Sequence, residues 1–239
     1  MAFNKLSIIV PVYNEQATVS ILLERLFRLI LPQGIEKEII VVDDGSSDGT
    51  MDILHDLAVR PPNGRTYRLV LLRHKTNQGK GMAIRTGLVR ATGNYIVIQD
   101  AALEYNPNNL VRMVEKVQET GAEAIFGSRR LSAPNQEQGR WYYYLGGVYL
   151  TWLANLLYGT KITDEPTCYK MIKTDLLRSL NLTCTGFEFC PEVVSKLGRN
   201  KVKIVEIPIS YHPRGTKEGK KIRFKDALIA TWILVRNRF

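Results

Sequence analysis

Short, unbroken apolar runs alternate along this chain with longer stretches of helical spacing. Residues 6–11 (LSIIVP) form a continuous apolar run closed by a proline, the pattern of a strand buried on both faces. Residues 18–31 then space Ile21, Leu22, Leu26, Leu29 and Ile30 as one face of a helix. Further strands are predicted at 38–42 (EIIVV), 68–73 (RLVLLR), 95–99 and 123–127 (EAIFG). Helices are predicted from a Ser46-Ser47-Asp48 cap through about 58, at 80–91 and at 107–120. Strand following helix in this way predicts an α/β protein with a mostly parallel central sheet and helices on both faces. Beyond 127 the pattern loosens. Residues 132–140 read as a polar loop suited to a lid, with helices near 143–158 and 190–197. A strand at 203–207 and 209–211, interrupted by Pro208, precedes an apolar helix from about 224 to 239. No repeat or composition break divides the pattern, so residues 1–239 are expected to form one domain.

Composition narrows the classes. A chain of 239 residues that is 45% hydrophobic can bury one sizeable core. The net charge of +10 favours anionic partners, whether nucleic acid, phosphorylated small molecules or acidic lipid headgroups, and an ordinary solvated basic surface would give the same number. With no nucleic-acid-binding motif to accompany the charge, no nucleic-acid partner is expected. Cys168, Cys184 and Cys190 neither pair evenly nor form a CxxC spacing, which argues against a zinc site or disulfide framework and fits a reducing cytosol. The N-terminal residues have no signal-peptide layout. From Trp141 to Thr160 no residue is charged, yet tyrosines are frequent, so this stretch reads as an amphipathic or buried helix with interfacial character rather than a span.

Candidate chemistry collects at the predicted strand ends, where parallel α/β proteins bind ligands. The first strand runs into Pro11-Val12-Tyr13-Asn14-Glu15 and the second into Asp43-Asp44-Gly45-Ser46-Ser47-Asp48. Their acids can hydrogen-bond a base or ribose, although the same residues make ordinary turns and caps. The fourth strand ends in Asp100, with Glu104 beyond it, oxygen ligands that suit Mg²⁺ or Mn²⁺ as well as they suit solvent. Lys80 lies between Gly79 and Gly81 at the start of a predicted helix, where an anion is favoured. Arg129-Arg130 and the run Arg214 to Lys221 are further basic candidates. Thr163-Asp164-Glu165 and Glu188 offer acids for orienting hydroxyls or for base catalysis, or serve as helix caps.

The motifs SIIVPVYNE, VVDDGSSDGT, NQGKGMAIRTGLVRATGNYIVIQD, GSRR, TDEPTCYKM and EIPISYHPRGTKEGKKI, taken in order, resemble family 2 glycosyltransferases of the Rossmann-like GT-A fold. The similarity is greatest to the dolichyl- or polyprenyl-phosphate mannose (or glucose) synthase branch. The resemblance implies inverting, metal-dependent transfer of a hexose from GDP-mannose or UDP-glucose to a polyprenyl or dolichyl phosphate. It implies donor contacts from Pro11, Tyr13, Glu15, Asp43, Asp44, Lys80 and Asp100, and catalytic positions at Asp100, Arg129 and Asp164. Phosphate-binding positions are implied at Arg129, Arg214, Lys217 and Lys221, and Mg²⁺ or Mn²⁺ at Asp100 and Glu104. The expected location is the cytoplasmic face of a membrane, reached peripherally.

Two departures qualify this expectation. Ala102 stands where the resemblance implies the second aspartate of Asp-x-Asp, among the donor and metal positions. Loss of that carboxylate predicts weakened metal binding and impaired activity. Near Gly147-Val148 the resemblance implies a basic residue for the acceptor phosphate, and none occurs before Lys161, so Arg140 substitutes or the acceptor differs. The alternatives are transfer to a soluble, glycan or protein acceptor, or a nucleotide-sugar-binding pseudoenzyme.

Overall fold

A computed structural model describes residues 3–32, 34–59, 67–131, 141–213 and 224–239. The chain runs β1 (Lys5–Val12), α1 (Val19–Arg28), β2 (Glu36–Asp43), α2 (Thr50–Val59), β3 (Tyr67–Arg73), α3 (Lys80–Arg90) and β4 (Tyr95–Ile98). It continues through α4 (Asn109–Thr120), β5 (Ala124–Ser128), α5 (Trp141–Tyr158), β6 (Lys170–Lys173) and α6 (Thr174–Ser179). The last elements are α7 (Phe189–Arg199), β7 (Ile204–Pro208) and α8 (Phe224–Arg236). Among the described residues the strands form one seven-stranded sheet in the order β3-β2-β1-β4-β6-β5-β7. β6 pairs antiparallel with β4 and β5, while the remaining pairs are parallel. The expected α/β architecture is therefore present, with one reversed strand in the middle. Because every other strand points the same way, the carboxyl ends of β1, β2, β4 and β5 open onto one edge.

The apolar runs form the middle of the sheet. Ile8, Ile9, Val10, Ile39, Ile40, Val97, Ile125 and Phe126 are buried, as strands covered on both faces require. Two polar hubs tie β2 to its surroundings. Glu38 accepts Ser7 Oγ (2.6 Å) and the Thr92 amide (2.8 Å) on one oxygen, and Thr92 Oγ1 (2.9 Å) and Arg68 (3.2 Å) on the other. Four donors satisfy a carboxylate that burial would otherwise penalise. Lys37 reaches the end of α1, where its Nζ donates to the carbonyls of Leu26 (2.7 Å), Phe27 (3.1 Å) and Leu29 (2.5 Å). These carbonyls belong to the unsatisfied last turn of a helix, and a buried ammonium supplies their donors.

That cap shortens α1 relative to the sequence pattern. Leu29 leaves the helix in an extended conformation, and Ile30, expected on the buried face, is exposed. Pro208 ends β7 opposite Ser128 instead of interrupting a longer strand, and Tyr211 forms only an isolated bridge with Tyr105. The four-residue β6 and the short α6 have no counterpart in the hydrophobic pattern. β6 reads KMIK, too short and too charged at its ends to register as a strand. Lys170 is nevertheless buried, because its ammonium donates to the carbonyls of Glu165 (2.7 Å) and Thr167 (2.5 Å).

Replacing Lys37 by Met keeps its apolar stem but removes three donors from buried carbonyls. The expected cost is about 2–3 kcal/mol of stability, read as a lower urea midpoint with unchanged slope. A midpoint equal to that of the parent would show that the cap contributes nothing.

Candidate active site

The carboxyl edge is assembled from loops that hold one another. After β1, Asn14 takes a left-handed conformation (φ 49). Its amide donates to Ser46 Oγ (2.9 Å), while its side-chain oxygen accepts the Ser47 amide (2.9 Å). The Glu15 amide donates to Thr50 Oγ1 (2.9 Å) and the Gly49 amide to Gln16 Oε1 (3.1 Å). Much of the Ser, Thr and Asn chemistry after β2 is thus used to join the first two loops. Pro11 and Tyr13 lie partly exposed on this stretch, and Glu15 is buried with its carboxylate accepting Thr18 Oγ1 at 2.7 Å.

Asp43 and Asp44 are both buried and both occupied by protein donors. Asp43 accepts the Ser46 amide at 3.3 Å and pairs with Arg73 at 3.3 Å. Asp44 accepts His74 Nδ1 (2.6 Å) and the amides of Gln78 (2.9 Å) and Gly79 (2.8 Å). Asp44 therefore fixes the loop that leads into α3. At the end of that loop Gly79 has φ 97, and a Cβ there would lie 2.3 Å from the Thr185 carbonyl oxygen, so only glycine fits.

Lys80 begins α3 beside the end of β4, with its Nζ 2.5 Å from Asp100 Oδ1. The Phe187 ring lies 5.8 Å from the same ammonium. Burial works to discharge Lys80, but Asp100 outweighs it and holds the amine above its ordinary range. Ala102 is buried and offers no ligand. Glu104 accepts the Tyr211 hydroxyl at 2.9 Å, and its carbonyl accepts the His212 amide at 2.9 Å. The implied metal positions thus come out as one carboxylate paired to lysine, one bonded to tyrosine and one methyl. No group of three or more His, Cys, Asp or Glu side chains able to hold a metal occurs among the described residues. This donor set does not fit a protein-held Mg²⁺ or Mn²⁺ centre, which needs uncommitted oxygens.

The other half of the edge is built on Asp164. Its carboxylate takes both arms of Arg129, Nε and Nη2, at 2.7 Å each, and the Arg129 amide at 2.9 Å. Burial favours the neutral acid, yet Arg129 keeps Asp164 below the usual carboxylate range. The Asp164 loop is itself held by Glu206 on β7, which accepts the amides of Thr163 (2.8 Å) and Asp164 (3.3 Å). Asp164 is therefore not a helix cap. Arg129 also lies over the Tyr211 ring at 5.0 Å, which joins this half of the edge to Glu104.

Arg130, a basic candidate together with Arg129, makes different contacts from its neighbour. Its Nη1 donates to the Thr163 carbonyl (2.9 Å), and its guanidinium lies 5.4 Å from the Tyr144 ring. A Cβ at Gly147 would lie 2.9 Å from its Nη2. The chain thus brings a cation from β5 to the place on α5 where the resemblance implied a basic residue. The sequence offered Arg130 as a basic candidate but not its place beside Gly147. Arg140, Arg214, Lys217 and Lys221, and with them the expected lid and late basic motif, lie outside the described residues.

Glu165 follows Asp164 and is fully buried. Neither of its carboxyl oxygens has a hydrogen-bond partner among the described residues, and the Thr167 hydroxyl nearby is also unpartnered. Burial pushes this carboxyl up to about 7, with Lys170 pulling down, Asp164 pushing up, and Arg129 and Arg130 pulling down.

The fold is that of the GT-A class. Residues 7–180 match glycosyl transferase family 2, and the chain belongs to that family. It is 27% identical over 218 residues to a dolichol-phosphate mannosyltransferase of Pyrococcus furiosus, covering 90% of this chain and 59% of that protein. It is also 27% identical over 214 residues to an undecaprenyl-phosphate 4-deoxy-4-formamido-L-arabinose transferase of Edwardsiella ictaluri, covering 90% of this chain and 62% of that protein. The chain thus spans about three fifths of the length of these curated relatives. Among solved structures it resembles S. aureus TarS 1–349 in complex with UDP-GlcNAc, with TM-score 0.65 and 16% identity over 98% of this chain and 66% of that one. It resembles equally glucosyl-3-phosphoglycerate synthase of Mycobacterium tuberculosis in complex with Mn²⁺, UDP and glucosyl-3-phosphoglycerate, with TM-score 0.65 and 17% identity over 98% of this chain and 78% of that one. At such identities these two structures speak to the fold.

The raised Glu165 carboxyl makes stability depend on pH. Between its ordinary 4.5 and about 7 the folded state keeps a proton that the unfolded chain has released. Stability therefore falls as pH rises through that window, by about 3 kcal/mol in total. Urea midpoints at pH 5 and pH 8 measure the drop, and Glu165→Gln is expected to flatten it. Equal drops in both proteins would rule this group out.

Proposed function

We propose that this chain transfers a hexose from a nucleotide sugar to a polyprenyl phosphate at a membrane surface. The observation that carries the reading is the Lys80–Asp100 pair on the carboxyl edge of a family 2 chain, beside the joined loops after β1 and β2. The names of two relatives, a dolichol-phosphate and an undecaprenyl-phosphate transferase, support a lipid phosphate acceptor. The transfer is inverting. An acceptor phosphate oxygen attacks the anomeric carbon in line, the bond to the nucleoside diphosphate breaks, and the diphosphate leaves with the electron pair. A phosphate is already ionised near pH 7, so the attack requires no strong general base. This fits an edge whose acids are largely committed to protein donors.

On the acceptor side Arg130 is the cation we assign to the lipid phosphate, in place of a basic residue near 147. Arg129 is held rigid by Asp164 as a neutral pair, which leaves the charge beside it to Arg130. Both lie next to α5, whose outward stripe carries Tyr142, Leu145, Tyr149, Trp152 and Leu156. Helix α8 packs against α5, its Leu234 carbonyl accepting the Tyr158 hydroxyl at 2.5 Å. It exposes Leu228, Ile229, Trp232 and Val235, with Arg236 over the Trp232 ring at 4.8 Å. Trp152 and Trp232 are 58% and 56% exposed, a high figure for indoles in contact with water alone. An apolar face with tryptophans and flanking arginine suits the headgroup level of a bilayer. Among the described residues no helix is long and apolar enough to cross a membrane.

Ala102 favours a second reading, a nucleotide-sugar-binding protein without turnover. Transfer from a panel of GDP- and UDP-sugars to polyprenyl phosphate in detergent, for this chain and Ala102→Asp, separates the two. Lipid-linked sugar from either protein supports the transferase, and the active donor names the substrate. Donor binding with no product from either supports the binding protein. Arg130→Ala is expected to raise the KM for the lipid phosphate about tenfold with little change in donor binding. An unchanged KM removes Arg130 from the acceptor site. Replacing Trp152 and Trp232 by Asp is expected to weaken flotation with anionic vesicles by about tenfold or more. Equal flotation would place the membrane contact elsewhere.

A further inference from the structure

We propose that Lys80 occupies the role of the divalent cation in this chain, its ammonium being the charge that receives the donor's diphosphate, so that nucleotide binds without metal. The inference rests on the nucleotide-sugar reading above and changes how that site neutralises its ligand.

Three observations carry it. The first is the poverty of the ligand set. Asp100 is bonded to Lys80 at 2.5 Å, position 102 is a buried methyl, and Glu104 is bonded to Tyr211 at 2.9 Å. A dication arriving at Asp100 would have to separate it from Lys80 and leave a largely buried ammonium without its counter-charge, a costly state. The second is charge balance. A dication between two carboxylates and an ammonium beside one carboxylate are both neutral assemblies with a positive centre facing the ligand. Ala102 in place of a second acid is what makes the lysine arrangement balance. An aspartate at 102 would leave the pair one negative charge in excess, which repels a diphosphate.

The third is preorganisation. An ammonium has three N–H donors, and among the described residues Asp100 is the only hydrogen-bond partner recorded for that of Lys80. Its remaining donors are available to phosphate oxygens. The lysine's backbone is fixed from both sides. Asp44 holds the amides of Gln78 and Gly79 at 2.9 and 2.8 Å, and Gly79 packs against Thr185 too closely for any other residue. Met82 adds a backbone bond to the Thr185 carbonyl at 3.1 Å. Arg129 is committed elsewhere, its Nε and Nη2 being bonded to Asp164.

Calorimetric titration of the whole chain with UDP and with GDP, in EDTA and in Mn²⁺, tests this without any turnover. The expected result is a nucleotide whose Kd agrees within about twofold in the two buffers. Lys80→Met is expected to weaken that binding by about thirtyfold in EDTA, with Lys80→Arg retaining most of it. Electron paramagnetic resonance of Mn²⁺ should detect no tight ion on the chain alone, whereas Ala102→Asp should gain one and become metal-dependent for nucleotide. Binding by the unmodified chain that is about tenfold or more weaker in EDTA than in Mn²⁺ overturns the inference and leaves the donor reading standing. Undiminished binding by Lys80→Met also overturns it. No nucleotide binding by the unmodified chain in either buffer overturns both. The comparison of buffers needs no variant, so it decides the question even if Lys80→Met does not fold.

Discussion

A carboxylate taken fully out of water must be met by an equal charge and by enough donors, and Asp164 is where that demand shapes this protein. Its two oxygens receive three donors from Arg129 alone. The pair joins the end of β5 to the loop between α5 and β6, and the loop in turn draws in Glu206 from β7, Thr151 from α5 and Lys170 from β6. Removing either charge would strand the other in the interior, which is why such a pair constrains geometry more strongly than its net contribution to stability implies. The half of the edge around Arg130 inherits this rigidity. Arg130, Gly147 and Tyr144 keep their mutual positions because the loop beneath them cannot shift without uncovering Asp164.

The half of the edge around Asp44 uses the same physics with a different anion. Asp44 collects a histidine and two backbone amides and so fixes the approach to α3. The loops after β1 and β2 exchange hydroxyl and amide bonds, leaving little slack for either to move independently. The acids and hydroxyls nearest the strand ends therefore serve mainly to place backbone. Among the described residues the groups left uncommitted there are few, and Lys80 with Asp100 is the most sharply positioned of them. Such an arrangement presents fixed shape and fixed charge rather than uncommitted acids and bases.

The helices that cover the sheet are not equivalent. α1, α4 and α7 bury their apolar faces in the ordinary way. α5 and α8 pack on each other and still expose a row of aromatic and aliphatic side chains. That asymmetry places an exposed apolar and aromatic surface on the helix that Arg130 touches.

Much of this architecture was written locally. Strands buried on both faces need continuous apolar runs, and helices need apolar residues every three or four positions, so β1 to β5 and most helices could be read from spacing, as could the strand-end positions of Asp43, Asp44, Asp100 and Arg129. What spacing could not carry were features made by contacts between distant segments. β6 is a strand because β4 and β5 leave a slot for it, and its lysine is buried because Glu165 and Thr167 turn their carbonyls toward it. Ile30 is exposed because Lys37, seven residues on, ends the helix early. The partners of Asp164, Glu104 and Arg130 lie 35, 107 and 33 residues away, beyond any local pattern. The sequence determined which residues stand at the strand ends. Only the tertiary structure decided which of their charges are spent on one another and which remain for a ligand, because pairing of charges depends on distance in space and on burial, and neither is a property of neighbours along the chain.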